Sequence, residues 1–341
     1  LDGHYRPFID LVVKTIEYNT NNRKYIPTIV VGIHAKSRGM EFSMLNPNNE
    51  WEQDYEGGRA PELQRHLRGE VIPFIEKLYP EARDFKTLIG HSAGGNFVFY
   101  TVFGEQSDMF DAYISISPGM RPGEQVVVER AAANLEKGAS FPRFLYGCAG
   151  TVGEREDLFS TGLMQVDSLL KAHPNHGLSW HPEILEGQDH FTIVPVAVNA
   201  GMLALTRTFR VDEKILQDLI AEDKSNVIKR VKEFYAEREK QYGFSDYLFP
   251  TSIKNFIQYL GRNKEYEVGL EIGYWGQAMY PDDFRLNNAI GYLHKDAGDL
   301  DATRRVFENS LKILERTKGD MAEERYQDRK ELVEGWIKEL D

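Results

Sequence analysis

Up to about residue 211 the chain alternates short apolar runs with stretches whose apolar residues recur at helical spacing. Pro7 to Tyr18 reads as an amphipathic helix. Thr28-Ile29-Val30-Val31-Gly32-Ile33, bounded by Pro27 and a polar loop, predicts a buried strand. The loop from His34 to Gly58 is long enough to be expected functional or mobile. Leu63, Leu67, Val71, Phe74, Ile75 and Leu78 set a helix over Pro61–Leu78 that Tyr79-Pro80 ends. Thr87-Leu88-Ile89, Ala112 to Ser117, Phe144 to Ala149 and Ser179 to Leu185 read as strands, with helical stretches after Ser92 and from Thr161 to Ala172. Such alternation predicts a mostly parallel sheet with helices on both faces, and chemistry at the carboxyl ends of its strands.

Beyond Asp212 strand signals vanish and charged helical stretches dominate, with a boundary near Asp246–Pro250. Ala289, Ile290, Gly291, Tyr292, Gly298, Phe307 and Ser310 follow the spacing of a tetratricopeptide unit, in which small residues let two helices approach and an aromatic fills between them. A weaker copy runs from Ile253 to Pro281. The expected organisation is a catalytic domain over 1–211, a helical connector over 212–247 and a small all-helical tetratricopeptide-like domain over 248–341. The last would dock on the first domain, a second copy of the chain or a partner protein.

A net charge of −12 over 341 residues leaves neither part of the chain basic, which argues against nucleic acid and anionic membrane as partners. No apolar stretch reaches the roughly 20 residues of a membrane span. The one cysteine, Cys148, lies in an apolar run and reads as a core residue. His173 and His176 form the only close histidine pair, in a Pro/Asn/Gly loop without helical register, so no metal is expected.

The chemistry concentrates at Gly90-His91-Ser92-Ala93-Gly94. An apolar run before it and a helical stretch after it supply the strand–turn–helix setting of a nucleophile elbow, whose tight turn requires near side-chain-free positions around the serine. A serine hydroxyl needs an imidazole to take its proton and a carboxylate to orient that imidazole. His190 follows the last expected strand and is the candidate base. Gly150-Thr151-Val152-Gly153-Glu154-Arg155-Glu156-Asp157 offers three carboxylates past the preceding strand. Glu154, first after the glycines, leads as the acid, ahead of Asp157 and Glu156, while Asp189 is expected to point elsewhere. An oxyanion would be held by the N–H of Ala93 and by one from the early Gly3-His4 loop.

The segments Gly57-Gly58-Arg59-Ala60, Leu67 to Ile75 and Gly90-His91-Ser92-Ala93-Gly94-Gly95 together resemble the serine esterase family of α/β-hydrolases. That family holds esterase D-like enzymes, mycolyltransferases and the enterochelin and bacillibactin esterases. Val30 to Ile33, Ile116-Ser117-Pro118 and Gly187-Gln188-Asp189-His190-Phe191-Thr192-Ile193-Val194-Pro195 fit the same pattern. The resemblance implies an α/β-hydrolase fold, followed here by the helical tail that some members carry. It also implies a serine carboxylic-ester hydrolase working through an acyl-enzyme without metal or organic cofactor. Glu154-Arg155-Glu156 looks like the acid loop of the siderophore-esterase branch, and Leu1-Asp2-Gly3-His4 like the oxyanion segment, making His4 the second donor. Members carry strands ahead of that segment, so an N-terminal portion preceding Leu1 is expected. Ser37 to Met44 departs from the family's usual Arg-x-Arg-Asp stretch, which leaves the substrate open. For an anionic ferric siderophore, Arg38, Arg59 or Arg155 would have to gather at the cleft. The same triad could instead transfer an acyl group to another acceptor, and a vestigial core with a partner-binding tail would make an interaction protein.

Overall fold

The computed structural model describes residues 1–22, 24–25, 27–43, 58–80, 85–120, 126–207, 209–242 and 249–341. They divide into two compact units, one built from Leu1–Phe209 with residues 241–242, the other from Arg210–Lys240 and residues 249–341.

The first unit holds a four-stranded parallel sheet in the order β1 (Thr87–His91), β2 (Ala112–Ile116), β3 (Phe144–Gly150) and β4 (Ser179–Leu185). β2 and β3 are buried along their whole length, and both read in the sequence as near-continuous apolar runs, as strands covered on two faces must. Their alternating side chains feed two cores. Tyr113, Leu145 and Ala149 pack with Phe97, Phe99 and Leu163 on one face, where the helices Ala93–Val102 and Glu154–Ala172 lie. Ile114, Ile116, Tyr146 and Cys148 pack on the other with Val194, Ala197 and Val198 of the helix Ile193–Arg207 and with Phe8, Val12 and Ile16 of the helix Arg6–Asn21. The buried Cys148 is a core residue, and burial pushes its thiol up to about 12.

Three expectations need correction. The run Thr28–Ile33 is not a strand of the sheet. Ile29 and Val31 are exposed, and the run's described tie to the early loop is the Gly3 N–H to the Ile33 carbonyl at 2.8 Å. β-branched composition marks fitness for a pleated, half-buried surface, which needs a ladder partner to be realised. The helix over 61–78 is interrupted by a wide π turn at Leu67–Val71. Pro73 follows at once; it lacks an N–H and would crowd the carbonyl of Gly69 in a regular helix. The third helix of the sheet region begins at Glu154, seven residues earlier than Thr161, which changes the reading of the acid loop. Residues 44–57 of the long loop, and most of the expected boundary at Asp246–Pro250, lie outside the described residues.

In the second unit, the helices Glu213–Asp223 and Val227–Tyr242 are not a separate connector. Their Leu216, Val227 and Val231 share one core with Ile253, Ile257, Ile272, Ile290 and Leu293 of the following helices. Asp212, Asp283 and Asp299 cap three helix starts by accepting the N–H of Ile215, Leu286 and Ala302. The helices Phe284–Asp296 and Leu300–Arg316 meet where Gly291 faces Phe307, and a Cβ on Gly291 would lie 2.4 Å from that buried ring. Gly291→Ala is therefore expected to lower stability by about 1–3 kcal/mol. Gly335→Ala, where a Cβ meets nothing within 4 Å, should be neutral or raise it by about 0.5–1 kcal/mol. Urea unfolding of the two variants checks the pair.

Candidate active site

β1 ends at His91 and the helix Ala93–Val102 begins two residues later, so Ser92 carries the whole turn. Its backbone sits at φ +58, ψ −118, a region costly for an L-residue and found where a side chain is thrust outward. The Ser92 N–H donates to the Ile116 carbonyl at the end of β2 (2.9 Å), and the Ser92 carbonyl accepts from Asn96 and Gly119 (3.0 and 3.2 Å). A Cβ at Gly90 would lie 2.2 Å from the Gly94 carbonyl oxygen. Only glycine fits at the foot of this turn.

His190 follows β4 and is buried, its ring framed by His91 (centroids 4.5 Å apart), Phe191 (5.4 Å) and Phe159 (5.6 Å). Its Nδ1 lies 2.8 Å from Glu156 Oε1 and 2.8 Å from Ser117 Oγ, and Ser117 Oγ donates a short hydrogen bond to the same carboxylate oxygen. Glu156 Oε2 accepts the Gly150 N–H at 2.7 Å. Burial alone would raise the Glu156 carboxyl, but the hydrogen bonds from His190, Ser117 and Gly150 outweigh it and hold it below the usual glutamate value. An ionised Glu156 places the imidazole proton on Nδ1, leaving Nε2 as the basic nitrogen.

Of the three candidate carboxylates, this geometry brings Glu156 to His190, and not Glu154 as expected. Because the helix starts at Glu154, that residue occupies its first position and is exposed, as is Asp157. Glu156, at the third position, turns inward against the end of β3 and is fully buried. Asp189 points elsewhere, as expected, accepting the N–H groups of Phe191 and Thr192 at 2.8 Å each. The acid and histidine loops are laced together, since the Thr151 and Val152 N–H groups donate to the Gln188 carbonyl at 3.0 and 3.1 Å. Gly150 permits this approach, because a Cβ there would sit 2.2 Å from that oxygen.

Ser117 is the member that sequence reasoning did not find. It is fully buried, has φ +43 and bridges Glu156 and His190. Its only signal was the strand-ending Ile116-Ser117-Pro118. Of four non-glycine residues with positive φ among the described residues, Asp2, Ser92 and Ser117 all belong to this site, a clustering typical of strained functional centres.

A cleft of about 510 Å³ opens over Ser92 and His190. It is lined also by Asp2, His4 and Arg38, by Arg155, and by an apolar wall including Phe8, Leu11, Phe191, Val194 and Pro195. Arg38 does not reach into it as a free cation, being paired with Asp2 at 2.6 Å. Arg59 is exposed at the start of the helix Ala60–His66 and does not line the cleft. His173 and His176 serve their own loop, through contacts to the Leu169 carbonyl and the Leu178 N–H.

His91 packs behind His190. Its Nε2 lies 2.8 Å from the His190 carbonyl, so the neutral ring donates there. Desolvation, with His190 beside it, lowers its pKa from 6.5 to about 4. The unfolded chain then binds a proton that the folded chain refuses between those values, so stability should fall as pH drops from 6.5 towards 4. His91→Gln retains an N–H donor without titrating. Its melting temperature is expected to fall less over that interval, as differential scanning calorimetry at stepped pH would show.

A model of the family described as Putative esterase matches residues 10–191. Ferri-bacillibactin esterase BesA of Bacillus subtilis (strain 168) is 22% identical over 193 residues, which span 52% of this chain and 66% of that protein. Among solved structures, an IroE-like serine hydrolase from Shewanella oneidensis superposes with a TM-score of 0.58 at 17% identity, covering 82% of this chain and 87% of its own. An uncharacterised protein from Capnocytophaga ochracea DSM 7271 superposes with a TM-score of 0.62 at 14% identity, covering 96% and 88%. These likenesses establish the α/β-hydrolase-like fold of the chain.

Proposed function

Because this chain belongs to the Putative esterase family, we propose that it hydrolyses carboxylic esters by attack of Ser92 and an acyl-enzyme intermediate. The observation that carries the reading is that His190, held from behind by the buried Glu156, opens with Ser92 onto one cleft. His190 Nε2 takes the Ser92 proton as Oγ adds to the ester carbonyl, and the resulting imidazolium is stabilised by Glu156. The N–H groups of Ala93, at the start of its helix, and of His4 receive the oxyanion. His190 then protonates the departing alcohol. Water, deprotonated by the same nitrogen, attacks the acyl carbonyl and frees Ser92.

The lining favours a small ester with an apolar or aryl portion over a polyanion. Of the three arginines considered, Arg38 is neutralised by Asp2 and Arg59 lies elsewhere, leaving Arg155 as the one cation available to the cleft among the described residues. The siderophore named for the Bacillus relative belongs to that protein. Turnover of p-nitrophenyl acetate to octanoate beside enterobactin and its ferric form tests this: aryl and acyl esters should be the better substrates by kcat/KM. Mass spectrometry of a rapidly quenched reaction should find the acyl mass on the peptide holding Ser92. A burst without that adduct would overturn the acyl-enzyme.

A further inference from the structure

Arg38 is half-buried, and the Nε–Nη2 edge of its guanidinium is committed to the protein. Nε donates to Asp2 Oδ1 at 2.6 Å, and Nη2 donates both to Asp2 Oδ2 at 3.3 Å and to the His91 carbonyl at 2.8 Å. Its two partners belong to the two segments that supply the oxyanion donors. Asp2 is buried and lies at φ +62, and its carbonyl accepts the Tyr5 N–H at 3.0 Å, closing the turn that presents His4. Gly3 is pinned within that turn: its N–H donates to Ile33, and a Cβ there would lie 2.4 Å from the Gly32 carbonyl carbon. His91 immediately precedes Ser92 and Ala93. The Asp2 carboxylate also rests on the elbow helix, 3.3 Å from where a Gly94 Cβ would be.

We propose that Arg38 is a positioning residue that, through Asp2 and the His91 carbonyl, fixes the spacing between the His4 and Ala93 N–H groups, and that it is not a substrate-binding cation. The proposal rests on the reading of those two groups as oxyanion donors. A planar fork suits the task, since it bridges a carboxylate and a carbonyl in set directions where an ammonium would hold only one point. Asp2 cancels its charge, so the oxyanion is met by N–H dipoles at a fixed separation. Ground-state esters bind without calling on that spacing; the tetrahedral state depends on it.

The experiment compares Arg38→Met, Arg38→Lys and Asp2→Asn in the full chain, with active sites counted by fluorophosphonate titration so that only folded enzyme enters kcat. With p-nitrophenyl butyrate, kcat should fall about 100-fold in Arg38→Met while KM stays within about threefold. Inhibition by an alkyl trifluoromethyl ketone, which mimics the tetrahedral state, should weaken by the same factor as kcat/KM. Arg38→Lys should recover only part of the loss, Asp2→Asn should show the same kcat-selective defect, and the pH profile of kcat/KM should keep its shape. A raised KM with kcat preserved would make Arg38 a substrate contact and overturn the proposal, as would wild-type kinetics in Arg38→Met. His4→Pro, which deletes one donor, separates the two levels. If it leaves kcat intact, the donor reading fails. If it slows kcat while the Arg38 and Asp2 variants do not, only the positioning role fails.

Discussion

Ser92→Ala is expected to lower ester turnover by about 10⁴- to 10⁶-fold and to abolish covalent labelling by a fluorophosphonate probe, with the fold unchanged. The reason is in the turn. The Ser92 N–H is tied to Ile116 and its carbonyl to Asn96 and Gly119, so its backbone is held at φ +58 by bonds that alanine also makes. Only the hydroxyl is lost, and with it the proposed covalent route; the cleft and the N–H groups of Ala93 and His4 remain. Ser117 provides an internal control. It touches His190, but its hydroxyl is fully buried and spent on Glu156, so it should stay unlabelled in both proteins. Intact circular dichroism and melting temperature, alongside lost labelling, check the prediction. Labelling of Ser92→Ala at the wild-type rate would remove Ser92 from the mechanism.

The elbow was legible in the sequence because its demands are local. A strand must stop, two positions near the serine must lack bulk and a helix must start at once, and Gly90, Gly94 and the apolar run around them record each demand. His190 was legible by its place after the last strand. The acid was not. Three carboxylates lie within four residues, and which of them faces inward depends on the residue at which the helix begins. That start depends on Gly153, at φ +94, serving as the flanking residue of a helix that has no side-chain cap, and a sequence without a Ser, Thr, Asp or Asn cap gives little warning of such a start. Ser117 was hidden for a related reason, since a serine closing a strand before Pro118 is also an ordinary turn. Thr28–Ile33 shows the converse: its strong local pattern predicts a strand, but a strand also needs a ladder partner, which none of the described strands supplies.

The helix start makes the second prediction sharp. Glu156→Gln should lower kcat by about 10³- to 10⁴-fold, while Glu154→Gln, two residues away, should leave it within about twofold. In Glu156→Gln an amide meets Nδ1 in place of a carboxylate. If the amide presents its N–H₂, the imidazole proton is driven to Nε2, which can then no longer take the proton of the proposed nucleophile. If it presents its carbonyl, the tautomer survives but the imidazolium formed during attack loses its counter-charge. Either way the base fails, whereas Glu154 is exposed and has no contact with His190 to lose. Acid stability gives a second readout. A carboxyl held below its ordinary value contributes stability that is present above that value, near pH 4.5, and is lost as pH falls through the lowered one. Glu156→Gln should therefore remove part of the stability loss seen below pH 4.5, and Glu154→Gln should not. Equal kinetic defects in the two variants, or a larger one in Glu154→Gln, would return the acid's role to the exposed residue and require the helix to begin elsewhere in the working enzyme.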